Sequence, residues 1–443
     1  MSIRNNYRWF LSVIACLFLA ACFAPLDWEE GETAITLHFG SGSGSRSAGA
    51  FSGLVHEVTL TRGSTVMSET ITGEESKTIP VTPGTWNIKV EGYNGRNKFA
   101  RQKEEQGAVI NVIAGQNNIF DIQMALMVNN SEDLKRIGTE ADGLWNLGAH
   151  YIQTADISLN SSENWIPIGQ NQDSTLKGSF TGSFNGNGYT ISNLVINIDS
   201  VTSNQNTSFG LFSSIDGTVE NINLNVNINI DVSGVHRVPD DRHLNVGGIA
   251  GESGGIVRSC VVTGEIKSSE GNIGGLLGWN SGNINNCYTN ELAISVSGSG
   301  NRNNVGGISG GNNSASIIRN CYITGSTTIN GGSARTGGIA GENGNGTIQY
   351  CVVLNSNINV TSSDYGRIAS NGTTTNCYVR STMTRNSSPW TTNKDGTDIT
   401  QEQWNNQTWW RNTAQFSESV WAFKNNLPIL KIISEGKQNP TVN

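Results

Sequence analysis

One short phrase recurs along the second half of the chain and limits what it can fold into. It reads Asn245-Val-Gly-Gly-Ile-Ala-Gly251, Asn272-Ile-Gly-Gly-Leu-Leu-Gly278, Asn304-Val-Gly-Gly-Ile-Ser-Gly310 and Arg335-Thr-Gly-Gly-Ile-Ala-Gly341. A partial copy stands at Phe209-Gly-Leu-Phe212 and a decayed one at Tyr365-Gly-Arg-Ile-Ala369. Between the copies runs a second column: Leu194, Ile222, Cys260, Cys287, Cys321, Cys351 and Cys377, at intervals of 28, 38, 27, 34, 30 and 26 residues. A polar insertion around His236 to His243 accounts for the longest interval. Repeats of this period mark solenoids and arrays. A unit of so few residues buries no core alone. Stacked in register, each coil hydrogen-bonds its neighbours about 4.8 Å away, and each column position lies over its own copy.

That stacking explains the residue types. Inward columns must be apolar and compact, because polar groups there lack partners. Cysteine is a small hydrophobe and alternates here with Leu and Ile. The paired glycines Gly247 and Gly248, Gly274 and Gly275, Gly306 and Gly307, and Gly337 and Gly338 are expected to give a backbone bend or a positive φ at a corner. The asparagines before the column are expected to form side-chain ladders or Asx turns. Seven coils and a leading rung make a rod of roughly 40 Å.

The first 21 residues have a positive start (Arg4, Arg8), an apolar run from Trp9 to Leu19, and the ending Leu19-Ala20-Ala21-Cys22. The run is shorter than the ~20 residues that span a bilayer, so it reads as a signal peptide. The ending resembles the lipobox of bacterial lipoproteins. That resemblance implies cleavage before Cys22, lipid attachment to its thiol, and a membrane as partner. Phe23 replaces the Asp that retains some lipoproteins at an inner membrane, which favours the outer one. Nothing after Cys22 is apolar enough to span. Removing the leader leaves 26 basic side chains against 36 acidic, a balance that disfavours nucleic acid as a partner.

Residues 22–33 read as a tether. From Ala34 to Met124 short alternating runs are separated by turn signals such as Val81-Thr-Pro-Gly84 and Ala114-Gly-Gln-Asn117, as in a small β-sandwich. The phrase Val81-Thr-Pro-Gly-Thr-Trp-Asn-Ile-Lys-Val-Glu-Gly-Tyr93 resembles transthyretin-like or immunoglobulin-like surface modules, and residues 34–126 are expected to act as such a spacer. His38 and His56 read as face residues of strands.

The repeat phrases resemble the GLUG motif of bacterial surface proteins, some of them immunoglobulin-A peptidases. Leading segments from Ser131 through Trp165-Ile-Pro-Ile-Gly169 and Phe180 to Ile191 strengthen the likeness, as does the closing segment ending Trp421 to Leu430. The resemblance implies a right-handed parallel β-helix over 131–390 and no particular activity. Ser131 is expected to N-cap a short helix over the first coil. Residues 391–443, rich in aromatics (Trp404, Trp409, Trp410, Phe416, Trp421, Phe423), are expected to form a packed cap, with a ligand platform as the other reading. The fold expected is therefore all-β: a small sandwich, then a solenoid with a helical N-cap and an aromatic C-terminal cap.

Chemistry is hard to find. None of the five histidines (His38, His56, His150, His236, His243) sits in the His-Glu-x-x-His pattern of a zinc peptidase, and no metal or cofactor is expected. The residues after the glycine phrase are Glu252, Trp279, Gly311 and Glu342. Two before the column stand Ser192, Glu220, Arg258, Asn285, Arg319, Gln349 and Thr375. Neither column pairs carboxylates on neighbouring coils, as polysaccharide cleavage needs. The expectation is a non-enzymatic envelope protein that adheres or scaffolds, with a host or envelope protein or a glycan as ligand. The alternative is a carbohydrate-binding or carbohydrate-cleaving solenoid using Trp279 and the 236–243 loop. Neighbouring column cysteines are expected to remain free thiols: stacked Cβ atoms lie about 4.8 Å apart, whereas a disulfide holds them near 3.8 Å.

Overall fold

The structure is a computed structural model that describes residues 33–39, 53–73, 76–103, 107–140, 143–199, 207–232, 244–298, 303–383 and 392–442. The leader, Cys22, the tether up to residue 32 and the 233–243 insertion with His236 and His243 lie outside the described residues.

One coil shows the plan. Leu244–Gly247, Ala250–Ser253, Ile256–Arg258 and Val261–Ser268 are successive short strands. Each pairs in parallel with its counterpart one coil on: Asn245 with Asn272, Ala250 with Leu277, Val257 with Ile284, Val261 with Tyr288. Repeated along the chain, these strands build four parallel faces, I to IV in that order; faces I, II and IV are sheets of 6, 5 and 11 strands, and face III is the parallel part of a 14-stranded sheet. The chain is a parallel β-helix. Val246, Ile249, Val257, Cys260, Val262 and Ile266 of this coil are buried in its core, as inward columns require.

The paired glycines stand at the expected bend: Gly248, Gly275, Gly307 and Gly338 each open the bend that separates a face I strand from a face II strand. None of the eight has a positive φ. Their role is steric. A Cβ on Gly274 would lie 2.0 Å from the Leu277 carbonyl oxygen, one on Gly275 2.2 Å from that of Gly307, and one on Gly278 2.4 Å from the Val246 nitrogen. Faces I and II therefore approach backbone to backbone, through rows of glycine that leave no room for a side chain. Left-handed backbone falls instead on the residue before the column, where face III turns into face IV: Asn221 (φ 60°), Ser259 (53°), Asn286 (56°), Asn320 (50°), Tyr350 (54°) and Asn376 (51°). Asparagine tolerates that conformation better than most residues. The amide ladders lie elsewhere. On face I the side chain of Asn272 donates to Asn245 at 2.8 Å and Asn304 to Asn272 at 2.7 Å. On face II Asn280 donates to Asn312 at 2.8 Å and Asn312 to Asn343 at 2.9 Å. Each ladder satisfies buried amides that would otherwise be costly.

The N-terminal module is a sandwich, but its sheet does not stop at the solenoid. Ala34–Phe39 lies between Ser76–Pro80 and Asn117–Ile122 in one sheet. The other contains Val55–Arg62, Gly84–Asn94 and Asn97–Gln102. Met124–Val128 makes the joint: Leu126 pairs antiparallel with Ala100 on one side and parallel with Tyr151 on the other. This second sheet thus runs on as face III across the expected 126/131 boundary. One hydrophobic core runs from Ile35 to Met383. An aromatic chain crosses the joint, with ring centroids 5.9 Å apart for Phe99 and Trp145, 5.7 Å for Trp145 and Tyr151, and 6.1 Å for Tyr151 and Phe180. A spacer hinged to a rod would lack both features.

The helix Ser131–Arg136 buries Leu134, as the pattern implies. Its cap is Asn130 rather than Ser131. The extended backbone of Asn130 (φ −154°) lets its side chain accept from the backbone nitrogens of Glu132 and Asp133, which leaves Ser131 as the first helical residue.

The C-terminal segment closes the stack and then turns back. Thr397–Ile399 pairs with Tyr378–Arg380, the preceding strand of face IV. From Thr400 onward the chain returns along the outside of face IV. Val261, Tyr288, Tyr322 and Val352, each next to a column residue and pointing outward, are buried there with Trp404, Trp410, Phe416, Trp421 and Leu430. Tyr288 donates its hydroxyl to Gln438 at 3.0 Å, Tyr322 donates to the Pro428 carbonyl, and Lys437 reaches Asp156 near the first coil. Among the described residues, no helix is long and apolar enough to cross a membrane.

Two outcomes follow from this packing. Gly278→Ala is expected to destabilise the fold by about 3 kcal/mol in chemical denaturation, since a methyl is forced against backbone that cannot yield. Gly436→Ala, which meets nothing within 4 Å, is expected to stay within about 0.5 kcal/mol of the parent. The second outcome concerns His56, which is fully buried, stacks on Phe39 at 4.5 Å, and is held by burial at a pKa of about 4. The folded value lies below the ordinary 6.5, so the unfolded chain takes up the proton first as pH falls. The neutral histidine's contribution is complete above pH 6.5 and declines by about 1.4 kcal/mol per pH unit towards pH 4. Denaturation at several pH values should show that slope reduced in His56→Phe.

Candidate functional site

The cysteine column is the densest cluster of reactive side chains. Hydrogen bonds between coils fix its register: Val261 N donates to Ile222 O, Tyr288 N to Cys260 O, Tyr322 N to Cys287 O, Val352 N to Cys321 O and Tyr378 N to Cys351 O. Ile222, Cys260, Cys287, Cys321, Cys351 and Cys377 therefore stand over one another, all buried. Leu194 is buried too, but it lies off the column. It pairs with Val226 beyond a bulge, and Tyr189 takes the slot beneath Ile222. Asn193-Leu194 imitates Asn221-Ile222 because Asn193 is also left-handed (φ 61°), although it sits at the bulge rather than at the corner. By the same register Asn185, not Ser192, pairs with Glu220.

All five cysteines of the column are free. Each thiol donates to the carbonyl two residues earlier in its own coil, from 3.2 Å for Cys260 to Arg258 up to 3.5 Å for Cys377 to Thr375. Burial pushes the thiols of Cys287, Cys351 and Cys377 well above the ordinary range. A buried, protonated thiol is a poor nucleophile and a poor metal ligand. Those three thiols serve as packing in the core. Among the described residues no group of three or more His, Cys, Asp or Glu converges where a metal ion could sit.

The outward columns carry the polar groups. On face II, Ser214, Glu252, Trp279, Gly311 and Glu342 follow one another coil by coil. Glu252 and Glu342 are thus three coils apart, about 14 Å, beyond the ~5–9.5 Å at which glycosidase carboxylates cooperate. Burial raises the Glu252 carboxyl, while a hydrogen bond from Ser214 pulls the other way. Glu342 accepts from Arg335 at 3.2 Å and from Asn304 at 3.2 Å. The Trp279 ring lies across Gly311, whose missing Cβ would meet it at 2.2 Å. On face III, Asn185, Glu220, Arg258, Asn285, Arg319, Gln349 and Thr375 stack in turn, with Glu220 paired to Arg258 at 2.6 Å. The aromatics of the C-terminal segment are packed rather than displayed: Trp410, Phe416 and Trp421 are fully buried against Tyr322.

One feature has no local sequence signal. A cavity of about 350 Å³ opens where the last coil, the short helix Gln401–Trp404, a hairpin turn and the tail meet. Its residues converge from positions 380 to 442 only through the returning segment.

No family model matches the chain. Over 134 residues it is 31% identical to halomucin of Haloquadratum walsbyi, which covers 30% of the chain and 1% of that protein. The chain therefore spans about one hundredth of that relative's length. Among solved structures it is similar to a "putative immunoglobulin A1 protease" from Bacteroides ovatus, with a TM-score of 0.48, 19% identity, and coverage of 70% of this chain and 93% of that one. A structure named IgA1 Protease aligns with a TM-score of 0.40 and 16% identity, over 79% of this chain and 28% of the other. Both bear a peptidase's name, and that finding corrects the expectation that the chain is not an enzyme.

The thiol reading can be checked by alkylation under denaturing, non-reducing conditions followed by peptide mass spectrometry. All five column cysteines are expected to be recovered alkylated. Recovery of Cys260–Cys287 or Cys321–Cys351 bridges would contradict it.

Proposed function

We propose that the chain is an envelope lipoprotein whose parallel β-helix is a rigid rod for adhesion or envelope scaffolding. In this reading its repeats are of the GLUG type, the helix is right-handed, and lipid on Cys22 holds the protein to the outer membrane. The ligand is a host or envelope protein or a glycan. The observation that carries the reading is the unbroken sheet and core from the N-terminal sandwich to the last coil. Thermal motion at a flexible joint would disperse a rod's binding surface. Here any hinge would have to break the Leu126 pairings with Ala100 and Tyr151. The outward asparagine, arginine and glutamate columns repeat every ~4.8 Å, a spacing suited to extended partners that make many weak contacts.

The anchor and the exposure are tested together. In cells given labelled palmitate, the chain is expected to become labelled and to fractionate with membranes, while Cys22→Ala does neither. Proteinase added to whole cells is expected to degrade the parent chain without lysis. Palmitate-free membrane association, or full protection of the chain in intact cells, would defeat the proposal of a lipid-held surface rod.

A further inference from the structure

We infer that the outer strand of the N-terminal sandwich, Thr65–Thr72, is an interface for a second copy of this chain, the two copies joining edge to edge about a two-fold axis at Ser68. This strand ends the sheet that runs on as face III, and among the described residues it pairs only with Val55–Arg62. An unpaired edge presents a row of amides and carbonyls that another strand can complete. The sandwich's other outer strands, Ser76–Pro80, Ala108–Val112 and Asn117–Ile122, have 5, 5 and 6 residues, whereas this one has 8. Its register with Val55–Arg62 is unbroken from Thr65 to Thr72, and it contains neither Pro nor Lys. Bulges, prolines and lysines are the devices that blunt natural edges, and this edge has none of them.

The turn fixes which groups face outward. Gly63 and Ser64 form a two-residue loop, with Gly63 at φ 57° and Arg62 opposite Thr65. In such a loop the closing pair exchanges both hydrogen bonds. Thr65, Met67, Glu69 and Ile71 therefore bond inward, while Val66, Ser68, Thr70 and Thr72 turn their N–H and C=O groups to the open edge. Two antiparallel copies share an isologous interface, so the axis passes between a residue and its own copy. Axes at Ser68 and at Glu69 overlap the strand most fully. The axis at Ser68 sets Ser68 opposite Ser68, with Val66 opposite Thr70 on either side, and brings outward-facing groups together in each pair.

Charge selects between the two axes. Glu69 is the single charged residue of the strand. An axis at Glu69 sets the two carboxylates directly opposite each other, which is destabilising. The axis at Ser68 sets Glu69 opposite Met67 instead. It also brings Val66, 62% exposed, against Thr70 of the other copy, a cross-strand pair of β-branched side chains. Thr65, Val66, Ser68, Glu69 and Thr70 are all exposed, so the described chain leaves this edge open. Two rods joined through one continuous sheet present their columns together, and a partner with repeated sites meets both. The interface depends neither on the lipid anchor nor on the ligand of the rod.

Sedimentation equilibrium of the purified full-length chain tests the pairing. A monomer–dimer equilibrium with a Kd of about 10–100 µM is expected from so small an interface. Ser68→Lys sets two ammonium groups opposite each other, and Ser68→Pro removes an outward N–H where an edge strand tolerates proline. Each is expected to weaken the dimer about tenfold or more with unchanged circular dichroism. The lysine variant, at an exposed position, keeps the test decisive if the proline variant fails to fold. Ser68→Cys is expected to form a symmetrical disulfide at position 68 on mild oxidation, located by peptide mass spectrometry, because paired Cα atoms lie about 5.5 Å apart. Glu69→Cys is expected to form none, its two copies being about 8 Å apart. The assignment is overturned by a chain that stays monomeric up to ~0.5 mM, by a dimer that both Ser68 variants leave unchanged, or by a disulfide at position 69 as readily as at 68.

Discussion

Backbone pairing between coils fixes everything else in this molecule. A parallel stack works only if each coil repeats the backbone path of the one before it, because a carbonyl or amide displaced by one residue loses its partner and flips its side chain to the other surface. The glycine rows at Gly247, Gly274, Gly306 and Gly337, and at Gly251, Gly278, Gly310 and Gly341, are where that demand is strictest. There the chain doubles back on itself so closely that any Cβ would fall within 2.5 Å of backbone atoms. The Asn ladders of faces I and II lie beside these rows and turn the same repetition into side-chain hydrogen bonds.

The outer surface shows how the two ends were accommodated. At the N-terminal end, Met124–Val128 matches an antiparallel module to a parallel stack, so the first coil presents no open edge there. At the other end the chain continues past Thr397–Ile399 and covers the flank. This second use of the C-terminal segment explains why Tyr288 and Tyr322, which point away from the solenoid core, are aromatic and fully buried. It also creates the cavity beside Arg380, since helix, turn and tail meet only because the segment returns.

Much of this was legible in the amino-acid sequence, for physical reasons that also explain the failures. A column read every 26 to 38 residues is strong evidence because stacking forces like residues into like places. Asn193-Leu194 misled because a bulge can use the same left-handed asparagine as a corner. The bend at the glycine pairs was legible, but the steric reason for glycine there was not. Conformational freedom and steric room both select glycine, and only the distance between faces I and II separates them. The flank was hidden because Val261, Tyr288 and Tyr322 look like ordinary alternating strand residues until their cover is known. The continuous sheet was hidden because a pairing between Ala100 and Leu126 leaves no periodic trace. The expectation that the chain lacks enzymatic activity rested on motifs not found, and the absence of a familiar motif does not exclude an activity.

The central claim is that successive face III residues stand one strand spacing apart. Spin labels at positions of one outward column measure it directly by pulsed electron–electron resonance. The pairs 258/375 and 220/375 are four and five coils apart by register. Their backbone separations are predicted to be about 19 and 24 Å, differing by one coil. Equal distances, or a difference unrelated to a single coil, would contradict the stacked register on which the whole account stands.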